Sequence, residues 1–185
     1  VTTERFADVL VIGGGPAGAA AAAAAAGNGA EVTLVERDPY LGGLASGGMV
    51  LVLDDMWDSH LNEISVRGVC QDMIERLGAL GLAQYPREDE WGRAPASVSR
   101  WTRWGTFDFH SHDKPHPICF AVAFDPDGWK RVALEGIAQH KIDLRLHSWF
   151  SQTLVEDHKI KGVVCDTKNG RQALLGDVVI DATGD

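Results

Sequence analysis

The chain has 185 residues, with 17 lysines and arginines against 26 aspartates and glutamates, a formal net charge of −9. Its 45% hydrophobic and 23% charged residues, with a mean hydropathy of −0.09, describe a folded globular protein and exclude a disordered or collagen-like one. So acidic a chain is a poor match for nucleic acid, whose binding rests on cations that release phosphate counterions.

In chain order, Ala7 to Ile12 is a short apolar run rich in β-branched residues and reads as a strand. Gly13-Gly14-Gly15-Pro16-Ala17-Gly18 is a tight turn, and the alanines from Ala19 to Ala26 form a helix stopped by Gly27-Asn28-Gly29. The most apolar stretch, Ala17 to Ala26, is too short to span a membrane and lacks the cationic flank of a secretory segment. A cytoplasmic location follows, and the scattered Cys70, Cys119 and Cys165, which form no C-x-x-C or disulfide framework, suit a reducing compartment. Glu31 to Glu36 reads as a second strand, parallel to the first through the crossover helix. Pro39 to Val50 is glycine-rich and expected to be irregular, and Asn62 to Leu82 has a helical pattern.

The stretch from Gln84 to Pro117, with four prolines among charged and aromatic residues, reads as an irregular, ligand-facing segment. Ile118 to Phe124 then reads as a strand, Asp125 to His140 as a helix with Pro126 in its first turn, and Asp143 to His147 as a short strand. Gln152–Glu156, Gly162–Asp166 and Gln172–Leu175 alternate like a small antiparallel meander with turns at 157–159 and 168–170. A separate, buried-type strand over Asp177 to Asp181 leads into Ala182-Thr183-Gly184-Asp185. The expected fold is thus one α/β, Rossmann-like domain with a parallel sheet: a βαβ unit over 7–50, an insertion over 51–117, and helix, strand, meander and final strand over 118–185.

Gly13, Gly15 and Gly18 form a G-x-G-x-x-G between strand and helix, with Glu36 closing the second strand. In that context the glycines serve a dinucleotide: one for the turn, one for backbone approach to a pyrophosphate, one for helix–strand packing. The helix start, with Pro16 and Ala17, offers N–H groups to phosphate. Glu36 suits a ribose diol and disfavours a 2′-phosphate, hence NADP.

From Val11 to Gly18, through Val35-Glu36-Arg37, to Leu41-Gly42-Gly43 and Ala45-Ser46-Gly47-Gly48, the sequence resembles the FAD-dependent oxidoreductases of the glutathione-reductase-like two-dinucleotide-binding superfamily, with a fumarate-reductase-like opening. The resemblance returns at Ala182-Thr183-Gly184-Asp185 and covers about 1–50 and 118–185. It implies FAD rather than NAD as cofactor. It also implies cofactor contacts at Gly42, Gly43, Ser46, Gly47 and Gly48 along the pyrophosphate toward the flavin, and at Ala182 to Asp185. Ser151 or its neighbours fall near the adenine by the same resemblance. A simple NAD-binding module is the alternative, in which the Gly42 to Gly48 loop has no role.

Flavin chemistry needs a positioned substrate and a group to move a proton. Candidates are His110, His112 and His116, three of the seven histidines, flanked by Asp108 and Asp113. On a strand His110 and His112 face one way and with His116 or Cys119 suit a metal; a proton-transfer role and ordinary loop histidines remain open beside that. Trp101, Trp104, Phe107 and Phe109 are either an aromatic wall beside the flavin or packing residues.

The expected activity is hydride exchange between flavin N5 and a small organic substrate. The other reading is a flavin-holding subunit whose catalytic residues lie on a partner. The resembled family continues past the A-T-G strand, and that strand would lack a covering helix. A second polypeptide, from a split gene or cleavage after Asp185, is therefore expected to dock and complete a hetero-oligomer.

Overall fold

The computed structural model describes residues 2–184 except 59 and 61, and the side chains of residues 3–5 are left aside. In order, it contains β1 (Thr2–Ile12), α1 (Pro16–Gly27), β2 (Val32–Val35), α2 (Gly43–Ser46), β3 (Val52–Leu53), β4 (Trp57–Asp58) and β5 (Glu63–Ile64). There follow α3 (Val69–Ala79), β6 (Ala83–Gln84), α4 (Pro95–Trp101), β7 (Val122–Phe124) and α5 (Pro126–Ala138). The last elements are β8 (Ile142–Arg145), β9 (Trp149–Glu156), β10 (Lys159–Thr167) and β11 (Gly170–Asp181). Two compact units emerge, residues 1–48 with 130–185, and residues 49–129; the insertion expected over 51–117 falls in the second.

The first unit is a six-stranded sheet in the order β8-β2-β1-β11-β10-β9. The first four strands are parallel, as the βαβ reading expects, and β11, β10 and β9 are antiparallel. All four residues of β2 are buried, the pattern of a parallel strand covered on both faces. Leu10, Ile12, Val35, Val163, Cys165 and Leu174 pack into one cluster that spans both halves of the sheet. The alternation of Leu10 and Ile12 puts both on the same face. α1 is alanine-rich on every side and buries Gly18, Ala19 and Ala22; its small side chains let the helix lie close to the strands. Glycine at position 29, with φ of +93°, turns the chain after the helix.

Several sequence expectations change. The third meander strand and the final strand are one 12-residue strand, β11, pairing β1 on one edge and β10 on the other. Its segment 177–181 is half-exposed or exposed rather than buried. Within 39–50, Gly42 in the left-handed region starts the one-turn helix α2. The helix expected from Asn62 begins only at Val69, because Trp57 pairs with Ile64 and Asp58 with Glu63 in a hairpin.

The second unit holds a three-stranded sheet, β3-β7-β6. Its segment 84–117, expected to be irregular, contains α4, because Pro95 occupies the first helical turn where a missing N–H costs nothing. The strand expected from Ile118 shortens to 122–124; Ile118 makes only isolated bridges to Gly92 and Phe107. Tyr85, Phe120, Trp91 and Trp57 form a chain of tilted and edge-on rings with centroids 5.9–6.5 Å apart.

Candidate functional site

A cleft of about 370 Å³ opens at the carboxyl ends of β1, β2 and β11, where open α/β sheets receive ligands. Its floor is the turn after β1. Gly13 has φ of +99°, and a Cβ there would stand 2.4 Å from the Ala182 carbonyl oxygen. Two backbone hydrogen bonds fix this crossing: Gly13 N–H donates to the Val35 carbonyl and Ala182 N–H to the Ile12 carbonyl, both at 2.8 Å. A Cβ on Gly18 would fall 1.8 Å from the Gly13 carbonyl oxygen, so α1 sits against the turn at glycine distance. Gly15 is the helix N-cap, and the first turn of α1 leaves backbone N–H groups without intrahelical acceptors.

Glu36 forms the opposite wall. Its side chain is buried, and its two oxygens accept hydrogen bonds from Gly14 N–H and Asp38 N–H, each at 2.7 Å. The carboxylate therefore ties the glycine turn to the end of β2, and each oxygen retains a second lone pair for a ligand hydroxyl. The third wall follows β11. There Asp181 accepts from Thr183 N–H at 3.1 Å and from its hydroxyl at 2.8 Å, which holds the Asp181 carboxyl below its ordinary range.

Of the residues singled out from sequence, Gly13, Gly15, Pro16, Ala17, Glu36, Arg37, Gly43, Ala182, Thr183 and Gly184 line this one cleft. Gly18 lies behind the turn. Gly42 donates its N–H to the Gly14 carbonyl, and the Ser46 hydroxyl, fully buried, donates to the carbonyls of Leu41 and Gly43. Gly47 packs on the Tyr40 ring and Gly48 on Leu44. These four residues shape the loop that presents Gly43 and Leu44. Asp185 lies outside the described residues. Of Ser151 or its neighbours, expected near one end of the ligand, Ser151 donates its hydroxyl to the Val164 carbonyl, and Ser148, Trp149 and Phe150 line the cleft. Ile12, Val35, Asp38 and Leu44 also line it and went unremarked in the sequence.

The histidines belong to the second unit and do not converge. Neither His110 nor His112 lies in a strand: His110 stands in a turn, where Asp108 Oδ1 accepts from the His110 N–H. His110 Nε2 pairs with the exposed Asp55 at 3.0 Å, and that carboxylate raises the imidazole pKa. His116 stacks on Phe107 with centroids 5.0 Å apart and contacts Lys114. Among the described residues no group of three or more His, Cys, Asp or Glu is placed to hold a metal. The four aromatic candidates do not form one wall: Trp101 is buried under the Arg100 guanidinium, Trp104 lies under Arg103, and Phe107 pairs with Phe109. The thiols of Cys119 and Cys165 are buried, which pushes their pKa to about 12 and about 11, so both are inert thiols.

The glycine cradle, the helix start and the buried acid fit a dinucleotide, and comparison with known proteins decides which. A family model for FAD dependent oxidoreductases matches residues 8–185. The chain belongs to the FAD dependent oxidoreductase family. FAD is thus its cofactor. No curated protein matches this sequence. Among solved structures, Thermovibrio ammonificans THI4 is similar with a TM-score of 0.57 at 16% identity, over 96% of this chain and 57% of that one. The p-nitrophenol 4-monooxygenase PnpA of Pseudomonas putida DLL-E4 gives 0.58 at 13% identity, over 98% and 41%. The glycerol-3-phosphate dehydrogenase of Bacillus halodurans, complexed with FAD, gives 0.55 at 16%, over 97% and 34%. At these identities the likeness is one of fold, and this family member spans about a third to just under three fifths of those chains.

Proposed function

We propose that this chain is the FAD-binding part of a cytoplasmic oxidoreductase that exchanges a hydride between flavin N5 and a small organic substrate, with a second polypeptide completing the flavin and substrate sites. The observation that carries the reading is the cleft itself, in which a glycine turn and a buried acid are joined by the Gly14–Glu36 hydrogen bond. The backbone of Gly13 and Gly15 and the start of α1 receive the pyrophosphate, and Glu36 accepts from the ribose. Gly43 and Leu44 lead the cofactor onward, and Ala182 to Gly184 close the side along β11. When bound, FAD supplies the electron-pair exchange. The three free cysteines suit a reducing compartment, and no helix among the described residues is long and apolar enough to cross a membrane.

A second reading, in which the chain only holds the flavin and its partner moves the proton, is favoured by the lining of the cleft. Its ionisable side chains among the described residues are Glu36, Arg37 and Asp38. Glu36 is committed to the backbone and the ribose, and Arg37 is permanently charged. His110, His112 and His116 are the candidates if this chain moves the proton. A partner is supported by the exposed apolar side chains Phe6, Val155, Ile160 and Val178 on the sheet of the first unit, surface of the kind partners cover.

The test is FAD titration of the purified protein followed by anaerobic reduction of the bound flavin with candidate substrates. Absence of FAD binding sinks the reading. Replacing all three histidines by alanine separates the versions: unchanged turnover in the assembled enzyme places proton transfer on the partner. A monodisperse 19.9 kDa species that holds FAD and turns over removes the second polypeptide.

A further inference from the structure

In the three-stranded sheet of the second unit, Val52 of β3 and Gln84 of β6 both pair with Ala123 of β7, so the three side chains form one row on one face. The small Ala123 leaves a hollow in the middle of that row. Against it lies the turn that follows α4. Gly105 ends this turn with φ of +74°, and a Cβ there would stand 3.2 Å from a methyl of Val52. The Gly105 N–H donates to the Thr102 carbonyl at 3.1 Å, and the buried Thr106 hydroxyl donates to the Trp101 carbonyl at 3.2 Å. Turn and sheet together enclose a recess of about 620 Å³, within the range of small-molecule sites.

Its walls are mostly apolar, with Leu51, Val52, Leu82, Phe124 and Trp104 among them. Leu51 is 53% and Trp104 38% exposed, and apolar surface left open in a recess gains free energy when a ligand covers it. Two charged side chains line the recess, Arg103 and Asp125. Asp125 is committed to its own chain, since its Oδ1 accepts from the Gly128 N–H at 2.7 Å in the first turn of α5, where the helix dipole favours an anion. Arg103 is not so committed. In the same unit Arg87, Arg93 and Arg100 each pair with a carboxylate. Arg103 has no such partner among the described residues, and its guanidinium lies over the Trp104 ring, 5.7 Å or less from it at 5.5 Å to the centroid.

We infer that this recess binds a small amphipathic carboxylate, an apolar body with one anionic group. The body lies on Leu51, Val52 and Trp104, and the carboxylate pairs with Arg103. A guanidinium offers parallel N–H donors to the two oxygens of a carboxylate, and its seat on the indole orients it before the ligand arrives. A neutral ligand of the same shape gains only the walls, and an inorganic anion gains only the arginine. The site lies wholly within residues 49–129 and does not rest on the FAD reading.

The test is titration of the purified protein with 3-phenylpropionate and with its neutral amide at constant ionic strength, followed by NMR at the Trp104 indole N–H, assigned with Trp104→Phe. The carboxylate is expected to bind about tenfold more tightly than the amide. Arg103→Gln should remove that preference and leave the amide within about twofold of its parent value, while Arg103→Lys keeps part of the preference. Leu51→Gln should weaken both probes about threefold. Both side chains are exposed, so thermal melts of these variants should match the parent. No shift at Trp104 with either probe up to about 10 mM, equal binding of acid and amide, or a preference that survives Arg103→Gln overturns the assignment. FAD binding is a separate titration, so either reading can fail alone.

Discussion

Replacing Glu36 by glutamine removes a charge and almost no volume, which makes it a sharp probe of how the cofactor turn is held. Both carboxylate oxygens accept backbone N–H bonds at 2.7 Å, one from Gly14 and one from Asp38, in a buried setting. An amide has a single oxygen, so whichever way the substituted side chain turns, one backbone N–H meets an NH2 group, donor against donor. The surviving bond also loses its charge assistance. A buried donor without an acceptor costs about 1–3 kcal/mol, and downgrading a charged bond about 1 more. The expected loss is ~3 kcal/mol, which for a chain of this size lowers the melting temperature by roughly 6–12 °C. FAD affinity should fall in the same variant, because the Gly13 to Gly15 turn loses its tie to β2. Differential scanning calorimetry of the ligand-free protein and FAD titration are the assays. A melting temperature within about 1 °C of the parent, with unchanged affinity, would refute the claim that Glu36 fastens the turn.

Gly18→Ala places a Cβ 1.8 Å from the Gly13 carbonyl oxygen and should force α1 off the turn, with a destabilisation of about 3 kcal/mol read by the same melt and weaker FAD binding read by titration. Burial holds Cys119 and Cys165 protonated up to about 12 and about 11, and Cys70 is also raised. Native protein at about pH 8, near the ordinary thiol pKa, should therefore resist alkylation at Cys119 and Cys165, and all three cysteines should react once guanidinium unfolds the chain, as counted by intact mass. Asp55 raises the pKa of the exposed His110, so this imidazole stays charged to higher pH than a free one. Asp55→Asn should bring its NMR titration midpoint down toward the ordinary value, and no change would break the assigned pair.

The parts of the cleft that are local in sequence were readable from it. Gly13, Gly15 and Gly18 fall between one strand and one helix, Gly18 is compelled by its approach to the Gly13 carbonyl, and the acid that faces them is only 18 residues past the last glycine. The resemblance pointed to Ser151 or its neighbours, but no local pattern singled out Trp149 and Phe150 among them. They reach Glu36 because β8 pairs with β2 in register, Val35 against Arg145, and a partnership 110 residues apart leaves no local pattern. The one continuous β11 was hidden by Gly176, which reads as a break; in the sheet a side chain there would meet the Leu10 Cβ at 3.0 Å, so glycine marks close strand packing instead. α4 was hidden because Pro95 signals a loop as readily as a first helical turn. The strand geometry expected of His110 and His112 is not formed, since Asp108 Oδ1 accepts from the His110 N–H and turns the chain there.

The pairing of β1 with β11 also sets when the cofactor can first be held. Val9 lies opposite Val178 and Ile12 opposite Asp181, so the first and last long strands of the sheet are neighbours. The glycine turn leaves the ribosome first, and the Ala182 N–H that caps Ile12 arrives some 170 residues later. At about 5–20 residues per second, that is a wait of roughly 10–35 s during which β1 has an unpaired edge. Residues 16–27 and β2 can assemble against it in that interval, but the wall from Ala182 to Gly184 cannot. Under the proposed function, cofactor loading therefore waits for β11, and free FAD is expected to speed the final docking of β11 rather than the formation of the βαβ unit.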